Sequence, residues 1–218
     1  MNPSSAGRPT DHSKDEDILE AAHHLLFTQG PAGFSVEAVA RKAGVSKVTV
    51  YARHPSRDAL IEAVVLRQAG RIAAGLSVVP ENIAGVRDTL ARFARDILLF
   101  LTSDEHRDFM RVIGGIPALQ ADTLNRIHSS GTDTTVQTLE RWMRDAHRAG
   151  LAHFPDPAYS AELLLGMLMG MDLVRMMYGE AARYREDGVS DHANRIVDAF
   201  LMLHKAESVG HCQLESDS

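Results

Sequence analysis

Apolar residues recur at intervals of three and four along almost the whole chain, and no segment alternates convincingly with a period of two. A strand needs alternate residues on its buried face, whereas a helix needs every third or fourth, so this pattern predicts an all-α fold. Ile18, Leu19, Ala22, Leu25 and Leu26 make one such face, and Val36, Val39, Ala40 and Ala43 make the next. Longer stripes follow from Ile83 to Leu101, from about Asp133 to Ala149, from Ala158 to Tyr178, and from about Ser190 to His204. Gly30, Gly44 and Gly150 stand where helices should stop, while Ser35, Ser46, Ser56 and the pair Asp156–Pro157 stand where helices should start. About nine helices are expected.

Composition closes several alternatives. A chain of 218 residues with 44% hydrophobic residues is a folded protein of one or two domains. The single cysteine, Cys212, excludes a disulfide framework and a cysteine-rich zinc site, and implies a reducing, cytoplasmic setting. Met1–Asp17 is too polar for a signal peptide, and the longest run without polar residues, Leu163–Met171, is too short to span a bilayer. No membrane partner is expected. The net charge of −6 argues, as an average, against a nucleic-acid binder. By segment the charge is −3 for residues 1–35, +4 for 36–57 and −7 for 58–218. The average conceals one basic stretch in an acidic chain.

That stretch is also where the helices are shortest. Ala43-Gly44-Val45-Ser46 reads as a tight turn between two of them: the glycine tolerates positive φ, the valine plugs the angle and the serine caps the incoming helix. Arg41, Lys42, Lys47, Arg53 and Arg57 surround the turn, with no acidic residue between positions 41 and 57. Cations so placed displace counterions from a duplex and bind it in a salt-dependent way. A basic surface helix without a ligand would share this composition.

At these residues the chain resembles the TetR family of bacterial transcriptional regulators. The motifs are I-L-E-A-A-H-H-L-L-F-T-Q-G from Ile18, G-F-S-V-E-A-V-A-R-K-A-G-V-S-K-V-T-V-Y from Gly33, and H-P-S-R-D-A-L-I from His54. The later segment G-L-A-H-F-P-D-P-A-Y-S-A-E-L-L-L-G-M is similar more loosely. The resemblance implies an N-terminal three-helix helix-turn-helix domain, residues 15–62, and a C-terminal helical domain for ligand binding and dimerisation, residues 63–206. Residues 1–14 and 207–218 read as an arm and a tail without fixed structure.

The resemblance also assigns roles. Ser35, Tyr51 and Arg57 match phosphate contacts, Ser46 caps the recognition helix, and Lys47, Val48, Thr49 and Val50 open it toward base edges in the major groove. His54 stands where the family usually has an aromatic residue. It reads either as a semi-exposed substitute or as a group turned toward DNA. The implied function is a ligand-responsive regulator, a repressor that binds a palindromic operator as a homodimer and is released by a small, largely apolar effector. Phe93, Ile97, Phe100, Phe109, Met110, Ile113, Trp142, Met143, Met167 and Met171 are the candidate ligand pocket, although ordinary core has the same composition. Leu163, Gly166, Met167, Gly170, Val174, Ile196 and Phe200 are the candidate dimer interface, with the two glycines allowing close approach. Asp172 and Arg175, three apart, pair with each other, bridge subunits or face a ligand.

Other classes fit the sequence less well. Glu20–His23 has the Glu-x-x-His spacing of a carboxylate-metal enzyme, but no second copy of that motif follows. Ser103, Asp104 and His106 lack an oxyanion-hole signature, and His147 and His153 are separated by a helix end. No catalytic residue, cofactor or metal is expected. A sequence-nonspecific chromosome-organising protein remains an alternative, although it should spread its basic charge more widely.

Overall fold

The computed structural model describes residues 11–114, 121–184 and 188–214, leaving aside some side chains within them. Among these residues there are ten α-helices: α1 (Asp11–Gly33), α2 (Val36–Lys42), α3 (Lys47–Arg53), α4 (Arg57–Ile72), α5 (Ile83–Leu101), α6 (Asp104–Gly114), α7 (Ala121–His128), α8 (Thr134–Arg148), α9 (Pro157–Met177) and α10 (Val189–Leu214). A short 3-10 turn follows α4 and a π turn joins α7 to α8. The all-α expectation holds. The interruption expected at Gly114–Pro117 lies, from Gly115 on, outside the described residues.

Local chemistry sets the helix starts. Ser35, Ser46 and Ser56 each accept a hydrogen bond from the backbone N–H three residues on, at 3.2, 3.1 and 3.0 Å, and Asp156 does the same at 3.0 Å. Asn82 and Ser103 cap α5 and α6 likewise. Each cap satisfies a donor that the first turn leaves without an intrahelical partner, which is worth about 1 kcal/mol.

The chain divides into two compact units. The first comprises Met1–Gln68 and Asp108–Ser130, the second Ala69–Arg107 and Gly131–Ser218, so the division falls within α4 and α6. In the first unit Ile18, Leu26, Phe27, Phe34, Val39, Val50, Leu60 and Val64 are each buried, and the Phe109 ring packs tilted against Phe27 at 4.8 Å. Arg67 of α4 forks onto Glu16 and Glu20, one turn apart on α1. Asp11–Lys14, expected to lack structure, already belong to α1. Apolar periodicity has nothing to register in this turn, and the acids just after it are held by ion pairs, Asp15 with Arg53 and His54, and Glu16 with Arg67. At the other end α10 runs into the segment read as a tail.

The second unit is built on α5, α8, α9 and α10, with α5 packed on α10 and α9 on both α8 and α10. Leu90, Phe93, Leu139, Trp142, Met143, Phe154, Leu164, Leu168 and Phe200 form its core. The Trp142 indole N–H donates to the Val78 carbonyl at 3.1 Å, tying the connection before α5 to α8. Arg87 forks onto Asp198 at 2.7 and 3.0 Å, joining α5 to α10 at the surface. Ser160 and His204 make a buried link between α9 and α10 at 3.0 Å. His204 Nδ1 lies 2.9 Å from the Phe200 carbonyl, which can only accept, so Nδ1 carries the proton and Nε2 accepts from the serine hydroxyl.

Helix α9 breaks at Gly170, with φ 43° and ψ −131°, a region closed to residues with a Cβ. Nothing lies within 4 Å of a Cβ built there, so the requirement for glycine is conformational rather than steric. Gly170→Ala is expected to destabilise the protein by about 1–3 kcal/mol through backbone strain, whereas Gly166→Ala should be neutral or stabilising. Thermal denaturation of the two variants checks this, and equal shifts would contradict it.

Candidate nucleic-acid interface

The turn between α2 and α3 has the geometry that its four residues predict. Gly44 takes φ +66°, the Val45 N–H reaches back to the Ala40 carbonyl at 3.0 Å, and the Gly44 N–H reaches Arg41 at 3.4 Å. This is the pairing that satisfies the last carbonyls of a helix and reverses the chain. It delivers Ser46 to the start of α3, where the serine caps Thr49 and also bonds its hydroxyl at 2.8 Å.

The exposed face of α3 follows from the helical period. Val48 is 78% exposed and Tyr51 46%, an unusual solvent-facing pair on so short a helix. Lys47 is exposed, Thr49 half-buried. Val50, grouped with the base-facing residues by position, is fully buried in the first unit. Each residue advances the side chain by about 100°, which turns Val50 inward while Val48 and Tyr51 stay out. Val50 therefore belongs to the packing that holds α3 and not to the base-reading set.

The remaining candidates have partial commitments. Ser35 accepts the Ala38 N–H, which leaves its own O–H able to donate to a phosphate. Arg57 donates Nε to the Phe34 carbonyl at 3.1 Å, tying the start of α4 to the α1–α2 connection, and its NH1 is 3.9 Å from Asp58. Lys47 is 2.6 Å from Glu37 on α2. This ion pair spans ten residues and has no signal in the sequence, where Glu37 is simply an acid in the first turn of a helix. His54 turns its ring toward α1, with Nε2 3.4 Å from Asp15. Its side chain is only 11% exposed, less than either reading of this position expected. Arg41 and Lys42 are exposed on the last turn of α2.

The candidate pocket residues divide between the units. Phe93, Ile97, Trp142 and Met143 are buried in the second unit's core, where Phe100 and Met167 pack against them. Met171 is exposed. Phe109 and Met110 belong to the first unit, one buried against Phe27 and the other exposed. The Ile113 side chain lies outside the described residues. Of the candidate interface residues, Leu163, Met167 and Ile196 are half-buried, while Gly166, Gly170 and Val174 are exposed. Phe200 is buried between Phe154 and His204 within its own unit, so its ring cannot reach a partner. Asp172 and Arg175 pair at 3.4 Å, and Asp172 also accepts the Arg183 N–H at 3.0 Å.

The groups that suggest an enzyme are engaged elsewhere. Glu20 binds Arg67, and the His23 ring packs on Phe27. Ser103 donates to the Phe100 carbonyl and accepts the His106 N–H, and His147 Nδ1 accepts the Phe154 N–H. Among the described residues no three His, Cys, Asp or Glu side chains are placed to share a metal, and no helix is long and apolar enough to cross a membrane.

Residues 18–64 match the family model of bacterial regulatory proteins of the tetR family, and residues 88–206 match that of the AefR-like transcriptional repressor C-terminal domain. A TetR transcriptional regulator from Agrobacterium tumefaciens superposes with a TM-score of 0.69 at 25% identity, covering 91% of this chain and 95% of the other. The flavonoid-responsive regulator FrrA superposes with a TM-score of 0.62 at 26% identity, covering 88% and 97%. An uncharacterized HTH-type transcriptional regulator of Mycobacterium tuberculosis is 32% identical over 112 residues, 50% of this chain and 52% of its own length. The chain thus spans about half the length of the curated relatives it matches.

Proposed function

Since the chain belongs to the TetR family of bacterial regulators, we propose that it represses transcription as a homodimer on a palindromic operator and leaves it on binding a small, largely apolar effector. The observation that carries this reading is the outer face of α3, where Val48 and Tyr51 stand exposed beside Lys47 in the one basic stretch of an acidic chain. An apolar side chain held out from a short helix suits a thymine methyl, and a phenol at the helix's far end suits a phosphate. The acidic remainder would keep the body of the protein off the backbone.

Dimerisation is supported by the end of α9 and the face of α10, where Met171, Leu173, Val174, Met177, Tyr178, Met202 and Leu203 are exposed. Apolar side chains in that number on one unit favour burial against a second copy. Two copies would set two recognition helices about one turn of duplex apart. The apolar effector is supported by the aromatic and methionine content of the second unit and by the likeness to a flavonoid-responsive regulator. Helix α4 runs from one unit into the other, so a ligand that shifts it changes the spacing of the recognition helices. A coupling of about 1–3 kcal/mol would reduce operator affinity about 5–150-fold.

A shift assay on the DNA upstream of the protein's own gene, with excess random duplex, tests the reading. Discrimination against the random duplex supports it, and its absence favours a nonspecific binder. Lys47→Ala is expected to relax base preference. Arg57→Ala should weaken all duplexes about equally and flatten the salt slope by about 0.9, the share of one phosphate. If both variants lose specific and nonspecific binding in the same ratio, the division of roles is wrong.

A further inference from the structure

The Lys47–Glu37 pair is the unexpected feature of the interface. Glu37 is the only acid among residues 36–57, and the fold sets its Oε1 2.6 Å from the first cation of the recognition helix. Both side chains are about half exposed, at 50% and 54%, so neither is held there by burial. The hydrogen bond from Lys47, then a backbone hydrogen bond and the lysine charge, keep the Glu37 carboxyl below the usual range. It is charged wherever the protein binds DNA. A carboxylate can only accept hydrogen bonds, and phosphate oxygens offer it no donor. On the backbone of a duplex it cancels Lys47 and repels the strand.

The major groove, by contrast, offers a match. On a G·C pair the guanine O6 and N7 accept and the adjacent cytosine N4 donates. O6 and N4 are themselves hydrogen-bonded across the pair, so they sit at nearly the separation of the two side-chain atoms. Lys47 has three donors, one for Glu37 and two for O6 and N7, while the carboxylate keeps lone pairs for N4. A T·A pair repeats the carbonyl and the amine. It replaces guanine N7 with a methyl group, however, and sets adenine N7 against the carboxylate. A C·G pair in the reverse orientation puts donor against donor.

Building on the operator-binding role proposed above, we propose that Glu37 is a specificity-determining residue: Glu37 and Lys47 act together to read one G·C pair in each half-site, and Glu37 penalises binding to phosphate alone. The experiment is selection from a randomised duplex library with the full chain, for the parent, Glu37→Gln, Glu37→Ala and Lys47→Gln. The parent should enrich half-sites with one fixed G·C pair. Both Glu37 variants should lose about tenfold of the preference at that position. They should also bind random duplex more tightly, with a salt slope steeper by about 0.9 as Lys47 becomes available to a phosphate. In Glu37→Gln the lost preference should move toward adenine, whose N6 and N7 suit an amide. Lys47→Gln should lose the same position without the gain on random duplex. Selected half-sites that lack a fixed G·C pair, or Glu37 variants with unchanged preference and unchanged nonspecific binding, overturn this assignment and leave operator binding intact. A parent that enriches no sequence overturns both.

Discussion

Replacing Phe154 with alanine is expected to lower the stability of the second unit by about 3–5 kcal/mol. The residue lies in the short connection between α8 and α9, where sequence alone would place a tolerant loop. It is instead fully buried, stacked on Phe200 at 5.8 Å and set edge-on to His204 at 5.2 Å. Its N–H donates to His147 Nδ1 at 3.1 Å, so the backbone is fixed as well as the ring. Removing the ring leaves a cavity lined by groups of α10, beside the buried Ser160–His204 hydrogen bond, where relaxation is restricted. Phe154→Leu keeps most of the apolar volume and should lose far less. Urea denaturation measures both, with a midpoint drop of roughly 1–3 M expected for alanine. A loss below about 1 kcal/mol would show that Phe154 is not part of the packing that joins α8, α9 and α10.

The parts of the fold that are legible in the sequence are those set within four or five residues. Ser35, Ser46, Ser56 and Asp156 cap where the motif puts them, and the Gly44 turn closes on Ala40 and Arg41. Those interactions depend on local spacing alone. The ion pairs that shape the interface depend on how helices lie against one another, and no local pattern encodes that. Glu37 meets Lys47 across a turn, and Asp15 meets His54 from a helix 39 positions earlier. Val50 departs from its expected role for a different reason. A four-residue window at the start of a helix spans nearly a full turn, so one of its members must face inward. Phe109 groups with the C-terminal domain by sequence because it lies within residues 63–206, yet the division of the chain falls inside α6 and leaves Phe109 in the first unit. Periodicity identifies a buried face without identifying which core it enters.

His106 is expected to make the protein acid-sensitive in a window that surface carboxylates do not explain. Its ring packs on Phe100 at 4.5 Å at the start of α6, and burial pushes its pKa down to about 4 from the usual 6.5. The cause is desolvation, which disfavours the imidazolium. The folded state therefore refuses a proton that the unfolded chain accepts. The sign follows: the full stability is present above pH 6.5, falls with pH below it and levels off once the pH passes about 4. At the lower end the cost is roughly 3 kcal/mol relative to neutral pH, because each tenfold loss of proton affinity on folding costs about 1.4 kcal/mol. Asp198, whose carboxyl the hydrogen bond from Arg87 holds below the usual range, takes up its proton only at lower pH and adds to the loss below this window. A variant comparison separates the two effects. His106→Phe keeps an aromatic ring against Phe100 and has no proton to refuse, so its stability should fall less than the parent's between pH 7 and pH 4. Chemical denaturation at pH 7, 6, 5 and 4 gives the difference curve directly. That curve should rise toward the variant by roughly 3 kcal/mol across the window, and a flat curve would mean that His106 titrates alike in the folded and unfolded chain.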